Sequence, residues 1–500
     1  MSRTLPFTLD TPSLLHEASL LNGNWVQSKS GQVFEIEDPG TNKPFARCPT
    51  NTTTDVDGHI QSSHSAFQTY RHTNPRTRAK QLLEWHNLIA ASKSDIAKLI
   101  VYETGKPTAE ALGEVEYALG FAWWFAGEAE RVRGSIAQPS ISDRRTFVVK
   151  QPIGVCVALV PWNFPVAMII RKVSAALAAG CTVVIKPSPE TPLSVLALGD
   201  LALKAGIPAG VVNVLTTDNV HTPAVSEALC KHPLVRKVTF TGSTGVGELI
   251  ARHCSVGLKK VTLELGGNCP FLVFDDADLE QAVAALMVLK WRTAGQACTH
   301  ANRVYVQAGV YEKFLGMVVE ATKRLRVGHG AGEGTTMGAL TTQRGIEKLE
   351  RHVEDAVKKG GQVVLGGRRL DVDGLGGNFF QPTVISGMSA DMLTTKEEIF
   401  GPLLGLYRFE TEDEAVRMAN DTSMGLASYF FTRDVSRTWR LLESLEAGMI
   451  GMNTGNSSAA ESPFGGIKAS GYGKEAGKDV AIEEYLIAKT GTLTVAASKL

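Results

Sequence analysis

Short runs of apolar and β-branched residues recur along the middle of the chain and alternate with longer segments that have a helical spacing of apolar positions. The runs predict strands, namely VCVALV near residue 156, CTVVIKP near 182, VVNVL near 212, KVTFTG near 238, VTLELGG near 262 and PFLVF near 271. Between them, ETPLSVLALGDLALKAG has 3.6-residue periodicity and ends at Gly206 and Pro208, and GVGELIARHC follows a glycine-rich turn. This alternation predicts a mostly parallel sheet covered by helices, as in a doubly wound nucleotide-binding domain.

The alternation starts afresh after residue 262. DADLEQAVAALMVLKW predicts an amphipathic helix, and QVVLGG and ASYFFT predict later strands of a second α/β domain. Two segments fit neither domain: residues 130–150 predict a hairpin excursion, and EYLIAKTGTLTV predicts a terminal strand. Distant strands of this kind often pair between subunits. We therefore expect an α/β protein with a doubly wound domain (1–129 and 151–261), a second α/β domain (262–477) and a small β element for oligomerisation (130–150 and 478–500).

One uncharged stretch, residues 151–170, is about as long as a bilayer span. Three prolines and Asn163 interrupt it, and Pro161 and Pro165 bracket a Trp-Asn-Phe segment. A buried strand that leads into a rigid loop and then a helix is the better interpretation. The N-terminal segment resembles neither a secretory signal nor an arginine-rich transit peptide, so a cytoplasmic location without a membrane partner is expected.

Composition narrows the class of ligand. A chain of 500 residues predicts two or three domains, and 44% hydrophobic with 20% charged residues excludes extensive disorder. The 51 basic and 51 acidic residues cancel, so no net field draws the chain to nucleic acid, and a small molecule is the expected partner. The seven cysteines are an odd number without a CxxC pair, which argues against a disulfide framework and against a metal site.

Three side chains are candidates for catalysis. Cys298, in RTAGQACTHANR, follows an amphipathic helix, although a lone cysteine is more often a packing residue. Glu264 ends the strand VTLELGG among apolar residues, where desolvation would raise its pKa towards the range of a general base; a structural carboxylate is the alternative. Asn163 lies between two prolines that fix its amide as a donor, with an ordinary turn asparagine as the alternative.

Two further features point to a nucleotide. The segment FTGSTGVGELI places Gly242, Ser243, Thr244 and Gly247 between a strand and a helix, a geometry that directs backbone N–H groups at a phosphate. Its spacing is GxxGxG, whereas the usual dinucleotide fingerprint is GxGxxG, so the pattern alone is weak. Lys186 lies at a strand end, where α/β sheets bind ligands, with a surface lysine as the alternative.

In their order along the chain, PWNFP, IKPSPETP, FTGSTGVG, LELGG, GQAC, EIFGP and PFGGIKASG resemble the aldehyde dehydrogenase superfamily, from about residue 150 to 477. The N-terminal GNWVQSKSGQVFEIEDPGTNKPFA resembles the opening segment of the same family. The resemblance implies an enzyme whose first domain binds NAD(P), whose second domain is catalytic, and which forms a homodimer or homotetramer. It also implies oxidation of an aldehyde to an acid through a thiohemiacetal and a thioester on the cysteine.

Matched by position, the resemblance makes Cys298 the nucleophile, Glu264 the general base, Asn163 the oxyanion donor and Glu475 a proton relay. It implies that the cofactor contacts Pro161, Trp162, Lys186, Ser188, Pro189, Phe240, Gly242, Ser243, Gly247, Leu265, Glu398 and Phe400. Among these contacts, the lysine meets the adenosine ribose, the serine of FTGSTG the pyrophosphate, and the EIF motif the nicotinamide ribose and ring.

Two departures from the family pattern change the expectations. Many NAD-preferring relatives have Glu three residues after the motif lysine, but this chain has Pro189 followed by Glu190. Electrostatic exclusion of a 2′-phosphate should be weaker, so NADP is favoured and NAD is the alternative.

Some relatives carry a second cysteine two residues after the nucleophile; here that position is His300, which predicts a packing or mouth residue and no local disulfide switch.

The substrate expectation depends on Arg171, Arg292 and Ser458, each of which alone is more often an ion-pair or surface residue. Together they resemble the carboxylate clamp of the succinate-semialdehyde dehydrogenases within the family, and guanidinium groups suit a carboxylate. This resemblance predicts succinic semialdehyde as substrate, with glutaric semialdehyde next and neutral aldehydes poor, and it implies a place in γ-aminobutyrate degradation. A CoA-acylating enzyme and a non-catalytic protein of the same fold are the alternatives; Glu264 favours hydrolysis.

Overall fold

The computed structural model describes residues 5–372 and 374–496. The strands are β1 (Ser19–Leu21), β2 (Asn24–Val26), β3 (Val33–Asp38), β4 (Lys43–Pro49), β5 (Ser135–Ala137), β6 (Arg144–Pro152), β7 (Val155–Leu159), β8 (Thr182–Lys186), β9 (Val212–Val214), β10 (Val235–Thr241), β11 (Lys260–Glu264), β12 (Pro270–Val273), β13 (Arg303–Gln307), β14 (Gln362–Leu365), β15 (Thr383–Ser386), β16 (Leu403–Phe409), β17 (Met424–Gly425), β18 (Ala427–Phe431), β19 (Met449–Met452), β20 (Ile467–Lys468), β21 (Gly471–Tyr472) and β22 (Leu486–Thr494). The helices are α1 (Thr53–Tyr70), α2 (Pro75–Ala91), α3 (Lys93–Thr104), α4 (Thr108–Ala129), α5 (Pro165–Ala179), α6 (Pro192–Lys204), α7 (Thr222–Lys231), α8 (Thr244–Ser255), α9 (Leu279–Trp291), α10 (Tyr311–Thr322), α11 (Gln343–Lys358), α12 (Leu393–Lys396), α13 (Glu412–Asn420), α14 (Val435–Ser444) and α15 (Val480–Glu483), with short 3-10 turns at Pro12–Leu14 and Arg292–Gly295.

The first sheet contains the strands that the apolar runs predict. Its order is β2-β1-β9-β8-β7-β10-β11-β21, and its centre from β9 to β11 is parallel. Every residue of β7 and β8 is buried because helices cover both faces of the sheet, which explains why these runs show no polar alternation. The parallel centre confirms the predicted α/β fold class.

The second sheet has the order β14-β15-β16-β13-β12-β18-β19 and is parallel except at its β14 edge. Strand β11 pairs in register with β10 up to Glu264, and the second sheet begins only at Pro270. The chain therefore leaves the first sheet a few residues after the predicted limit at 261/262, because the run VTLE continues the pairing. It rejoins that sheet at β21, within the segment assigned to the second domain.

A third sheet of three strands, β22-β6-β5, stands apart from the other two. The predicted hairpin is present as β5 and β6, and the predicted terminal strand β22 pairs with β6 of the same chain along its whole length. Apolar side chains remain exposed on this sheet, including Ile136 at 82% and Leu493 at 56%. The role of this sheet in oligomerisation stays a prediction.

The uncharged stretch of residues 151–170 divides as predicted into strand β7, a loop and helix α5. Within residues 5–372 and 374–496, no helix is both long and apolar enough to span a bilayer. Helix α5 is buried along its entire length between the first sheet and α4, and it carries Arg171 and Lys172 into the interior. These two cations, the end of β11 and the loop after α9 meet between the two main sheets.

Candidate active site

Cys298 follows a strained turn that leaves helix α9. Thr293 and Ala294 have φ values of 53° and 50°, and left-handed backbone costs L-residues roughly 1–2 kcal/mol each. At Gly295, with φ 74°, an added Cβ would lie 2.2 Å from the carbonyl oxygen of Gly401. The turn is thus held in place by its surroundings and fixes where the cysteine enters the cleft.

The Cys298 thiol differs from the other cysteines, which are all buried, because it is half-buried. Burial raises its pKa to about 12; the negative charge of Glu398 adds to this effect and Arg171 opposes it. The thiol is therefore protonated near neutral pH, and its attack on a carbonyl requires a base to remove the proton. The Cys269 thiol donates to the Cys298 carbonyl oxygen at 3.4 Å, a contact that no sequence pattern indicated.

Glu264 ends β11 with 2% exposure. Within the described residues, neither of its carboxyl oxygens has a hydrogen-bond partner. Burial raises its pKa well above the ordinary value, and the charge of Glu475 raises it further. This direction agrees with the expectation from its apolar context, and an unpartnered carboxyl with a raised pKa suits proton exchange with water.

Glu475 is also buried, but it is surrounded by partners. Its carboxylate lies 3.0 Å from Arg171 Nη2, forms an ion pair with Lys172 and accepts from Thr239 Oγ1 at 2.6 Å. Although burial opposes it, the charges of Lys172 and Arg171 lower the pKa of Glu475 below the ordinary value. Sequence reasoning missed Lys172, although two consecutive cations within the apolar helix VAMIIRKVSAAL were a visible signal.

Asn163 lies at 5% exposure in the loop before α5. Its side-chain Nδ2 donates to the Gln296 carbonyl oxygen at 2.9 Å, and its own carbonyl oxygen accepts from Lys106 Nζ at 2.7 Å. These contacts fix the amide next to the cysteine loop. Since an amide nitrogen carries two hydrogens, one donor remains for an oxyanion, and that role stays a prediction.

The glycine-rich turn presents the start of α8 to solvent. Ser243 is the exposed N-cap residue, and its side chain makes no capping hydrogen bond. An added Cβ at Gly247 would lie 2.3 Å from Leu265, and one at Gly242 would lie 2.4 Å from the Phe240 ring. The glycines therefore let the helix start close to the strand ends with free N–H groups, which fits the pyrophosphate of a dinucleotide.

Lys186 ends β8, which is separated by β7 from β10, the strand that leads into this turn. Its ammonium is buried and donates to the next residue's carbonyl oxygen at 3.0 Å and to Thr222 Oγ1 at 3.3 Å. Burial lowers its pKa to about 8. The Ser188 hydroxyl donates to Glu190, which also accepts from Asn219 Nδ2 at 3.0 Å. Glu190 is thus turned towards protein donors.

The position after Ser188 is the buried Pro189, which has neither a charge nor an N–H. The carboxylate that many NAD-preferring relatives place there is therefore absent, and the nearest one, on Glu190, is occupied by protein contacts. The residues present fit an adenosine ribose with or without a 2′-phosphate.

The predicted nicotinamide end lies on the other side of the cysteine. Glu398 Oε1 accepts from the Gly267 amide at 3.2 Å, and burial raises the pKa of this carboxyl to about 7. Phe400 has a φ of 55°, and its ring meets the Trp162 ring edge-on at 5.5 Å, next to the half-buried Pro161. An aromatic pair and a buried carboxyl are groups that suit a ring and its ribose, and their contact with the nicotinamide stays a prediction.

His300 is completely buried, with its ring 6.4 Å from the Phe400 ring. Burial lowers its pKa well below the ordinary value, so the imidazole is neutral. This environment supports a packing residue and agrees with the choice of Glu264 as the base.

Arg171 is 1% exposed, and its guanidinium lies 4.0 Å from the centre of the Phe464 ring. While Nη2 pairs with Glu475, Nη1 has no hydrogen-bond partner in the described part of the chain. A buried guanidinium nitrogen without a partner is costly, so this atom is available to a ligand anion. Ser458 is linked to Arg171 through Tyr117, because its hydroxyl contacts the Tyr117 hydroxyl and Tyr117 is close enough to Arg171 for electrostatic interaction.

Arg292 takes a different position at the exposed start of the turn. Its guanidinium lies 5.4 Å from the centre of the Phe164 ring, and it forms no ion pair within the described residues. Arg171 and Ser458 thus both connect to Phe121, the first directly at 5.9 Å and the second through Tyr117, whereas Arg292 contacts Phe164. Sequence reasoning missed Tyr117, which packs edge-on against Phe121.

The site combines a parallel sheet that leads into a glycine-rich helix start with a half-buried cysteine and a buried glutamate, which has no hydrogen-bond partner among the described residues. Together these features define a nicotinamide-nucleotide-dependent oxidoreductase with a cysteine nucleophile. Residues 25–490 match the model of the aldehyde dehydrogenase family, and the chain belongs to that family.

Individual relatives cover almost the whole chain. It is 47% identical to a 3-sulfolactaldehyde dehydrogenase of Pseudomonas putida, over 96% of this chain and 97% of that protein. It is 46% identical to the succinate-semialdehyde dehydrogenase [NADP(+)] 1 of Schizosaccharomyces pombe, over 95% of each. A crystal structure of succinate-semialdehyde dehydrogenase from Burkholderia pseudomallei superposes with a TM-score of 0.95 at 43% identity, covering 98% of this chain and 100% of that one.

Proposed function

We propose that this enzyme oxidises succinic semialdehyde to succinate, with NADP as the preferred acceptor and NAD as the alternative. The observation that supports this substrate is the buried Nη1 of Arg171, which has no hydrogen-bond partner among the described residues. Arg171 is close enough to Tyr117 and Cys298 for electrostatic interaction, and the Tyr117 hydroxyl contacts that of Ser458. A short aldehyde with a carboxylate at its far end satisfies this donor and holds the carbonyl carbon near the thiol. The fission-yeast relative, a succinate-semialdehyde dehydrogenase [NADP(+)], supports both the substrate and the coenzyme.

The chain supplies each group that the reaction needs. The Cys298 thiol loses its proton to water, with the charge of Arg171 favouring the thiolate, and the thiolate adds to the aldehyde to give a thiohemiacetal oxyanion. The remaining Asn163 donor and the Cys298 amide stabilise that oxyanion, a contribution of about 2.7–4 kcal/mol per donor in comparable sites. The α8 turn and Glu398 would hold NAD(P)+, which would accept the hydride from the thiohemiacetal carbon. The ionised Glu264 carboxylate then activates the water that hydrolyses the thioester. Glu475 is its negatively charged neighbour in the proton path that we propose.

Coenzyme choice rests on Pro189 and on Glu190, whose carboxylate is already engaged by Ser188 and Asn219. A 2′-phosphate therefore meets less repulsion than in relatives with a free glutamate. Comparison of kcat/KM for the two coenzymes tests this, and a much higher value with NAD would contradict it.

We propose that the three-stranded sheet joins copies of the chain into a homodimer or homotetramer. Its exposed apolar side chains, among them Ile136, Phe147 and Leu493, form a face that a single chain leaves in water. Native mass spectrometry of the protein and of an Ile136→Asp, Leu493→Asp variant tests this. A parent that stays monomeric at micromolar concentration would overturn it.

Steady-state kinetics with succinic semialdehyde, glutaric semialdehyde, 3-sulfolactaldehyde and butanal tests the substrate. We expect kcat/KM to fall in the order succinic, glutaric, butanal, and Arg171→Ala and Arg292→Ala to remove the preference over butanal. If butanal equals succinic semialdehyde in the parent, or if 3-sulfolactaldehyde exceeds it, the proposal is wrong. Acyl-CoA as the main product when CoA is present would instead indicate an acylating enzyme.

A further inference from the structure

Helix α4 carries a carboxylate that accepts a hydrogen bond from the backbone of the strained turn. The Oε2 atom of Glu110 accepts the Thr293 amide at 2.6 Å, although the two residues are far apart in sequence. Thr293 is β-branched and has a φ of 53°, a conformation that such residues adopt only when their surroundings impose it. The hydrogen bond lies at the start of that conformation, so Glu110 is one of the groups that impose it.

Arg292 immediately precedes this turn and has few restraints of its own. Its guanidinium is exposed, touches the face of Phe164 and has no ion pair within residues 5–372 and 374–496. Glu110 is close enough for its charge to interact with that of Arg292, yet its carboxylate binds the amide of Thr293 and leaves the guanidinium unpaired. The direction of the arginine therefore depends on the backbone that Glu110 holds.

The next turn of α4 repeats the arrangement for the other arginine. Glu114 Oε1 accepts the amides of Val166 and Ala167 at 2.9 and 3.2 Å, which are the first free N–H groups of α5. Helix α5 carries Arg171. Two carboxylates four residues apart on one helix thus each hold the backbone element that presents a substrate arginine.

We propose that Glu110 is a positioning residue for substrate recognition: it fixes the turn that aims the Arg292 guanidinium at the substrate's distal carboxylate. This proposal rests on the proposed carboxylate clamp. Glu110 touches neither the substrate nor the cysteine; it acts through Arg292, so its loss should affect substrates that carry a carboxylate and spare those that do not.

The test compares Glu110→Ala with Glu110→Gln, whose amide oxygen still accepts the Thr293 N–H. With NADP saturating, we expect the alanine variant to raise KM for succinic semialdehyde about tenfold while kcat/KM for butanal stays within about twofold. The glutamine variant should restore most of the succinic semialdehyde KM. Glu116→Ala, which removes an exposed α4 glutamate paired with Lys93, is the matched control and should leave both substrates unchanged.

The same change made in an Arg292→Ala background isolates the route of action. There, Glu110→Ala should no longer alter the ratio of kcat/KM between the two substrates. Equal losses on both substrates, or no loss on either, would overturn the positioning role. If the alanine variant does not fold, Glu110→Asp, which keeps the charge but loses the reach, serves the same comparison. A parent without preference for succinic semialdehyde refutes the clamp itself, whereas a selective parent with an unaffected Glu110→Ala refutes only this inference.

Discussion

The two glutamates of the proposed proton path, Glu264 and Glu475, are both buried but differ in their hydrogen-bond partners. Glu264 is 2% exposed and has no hydrogen-bond partner among the described residues, while Glu475 is 4% exposed and contacts Arg171, Lys172 and Thr239. Their pKa values shift in opposite directions for this reason, upward for Glu264 and downward for Glu475. The comparison teaches that partners, rather than depth, decide which buried carboxylate can exchange a proton.

The largest expected effect on the rate comes from replacing Glu264. Glu264→Gln should lower the steady-state rate about 10³-fold, because the water that hydrolyses the thioester loses its base. The amide fills nearly the same volume, so the fold should survive. Rapid-quench measurement of acyl-enzyme should show the thioester accumulating on Cys298. A variant that turns over at the parent rate would remove Glu264 from the mechanism.

The second effect is on stability. Glu475→Gln leaves the buried Lys172 and Arg171 without their counter-charge, and breaking such a pair costs about 3–5 kcal/mol of unfolding free energy. Urea unfolding of the parent and the variant at pH 7 measures this loss. An unchanged free energy of unfolding would mean that the two cations find other partners.

Glu264→Gln should have the opposite effect on stability, which thermal unfolding at two pH values measures. The raised pKa of Glu264 means that the folded state binds this proton more tightly than the unfolded state does. The free energy of unfolding therefore falls as pH rises above the unfolded pKa of about 4.3. Replacing it should therefore raise the melting temperature relative to the parent at pH 8 and change it little at pH 4. For Glu475 the sign is opposite, because its lowered pKa adds stability that is lost as pH falls.

The smallest effect is a shift in pH dependence. Hydrolysis needs the Glu264 carboxylate, so kcat should rise with pH through the raised pKa of that group. In Glu475→Gln the neighbouring negative charge is absent, and the acid limb of the kcat profile should move to lower pH by about one unit. A limb that stays in place would show that the two carboxyls do not interact.

The same comparison separates what the sequence could predict. The raised pKa of Glu264 followed from one local feature, a glutamate ending an apolar strand before two glycines. The ionised state of Glu475 could not be predicted, since its partners lie about 300 residues earlier, on α5, and on the central strand β10. The parallel sheet followed from the apolar runs because periodicity is local, whereas strand order and side-chain partners are set by the folded topology.

For the proposed substrate-binding residues, the motifs identified Arg171, Arg292 and Ser458, but they did not predict which residues these three contact. The contact between Tyr117 and Ser458 joins residues 341 positions apart, and no spacing in the sequence indicates it. Glu110 was missed because an acidic residue in the first turn of a helix is ordinarily explained by the helix dipole alone. The strained turn was equally hidden, because threonine and alanine carry no preference for left-handed backbone.

Infrared difference spectroscopy over a range of pH tests the central claim, that the Glu264 carboxyl keeps its proton to higher pH than the Glu475 carboxyl. The spectrum of the parent minus that of Glu264→Gln should contain the carbonyl band of a protonated carboxylic acid above the pH at which an ordinary glutamate ionises. If that band is already lost where an ordinary glutamate ionises, the division of roles between Glu264 and Glu475 is contradicted.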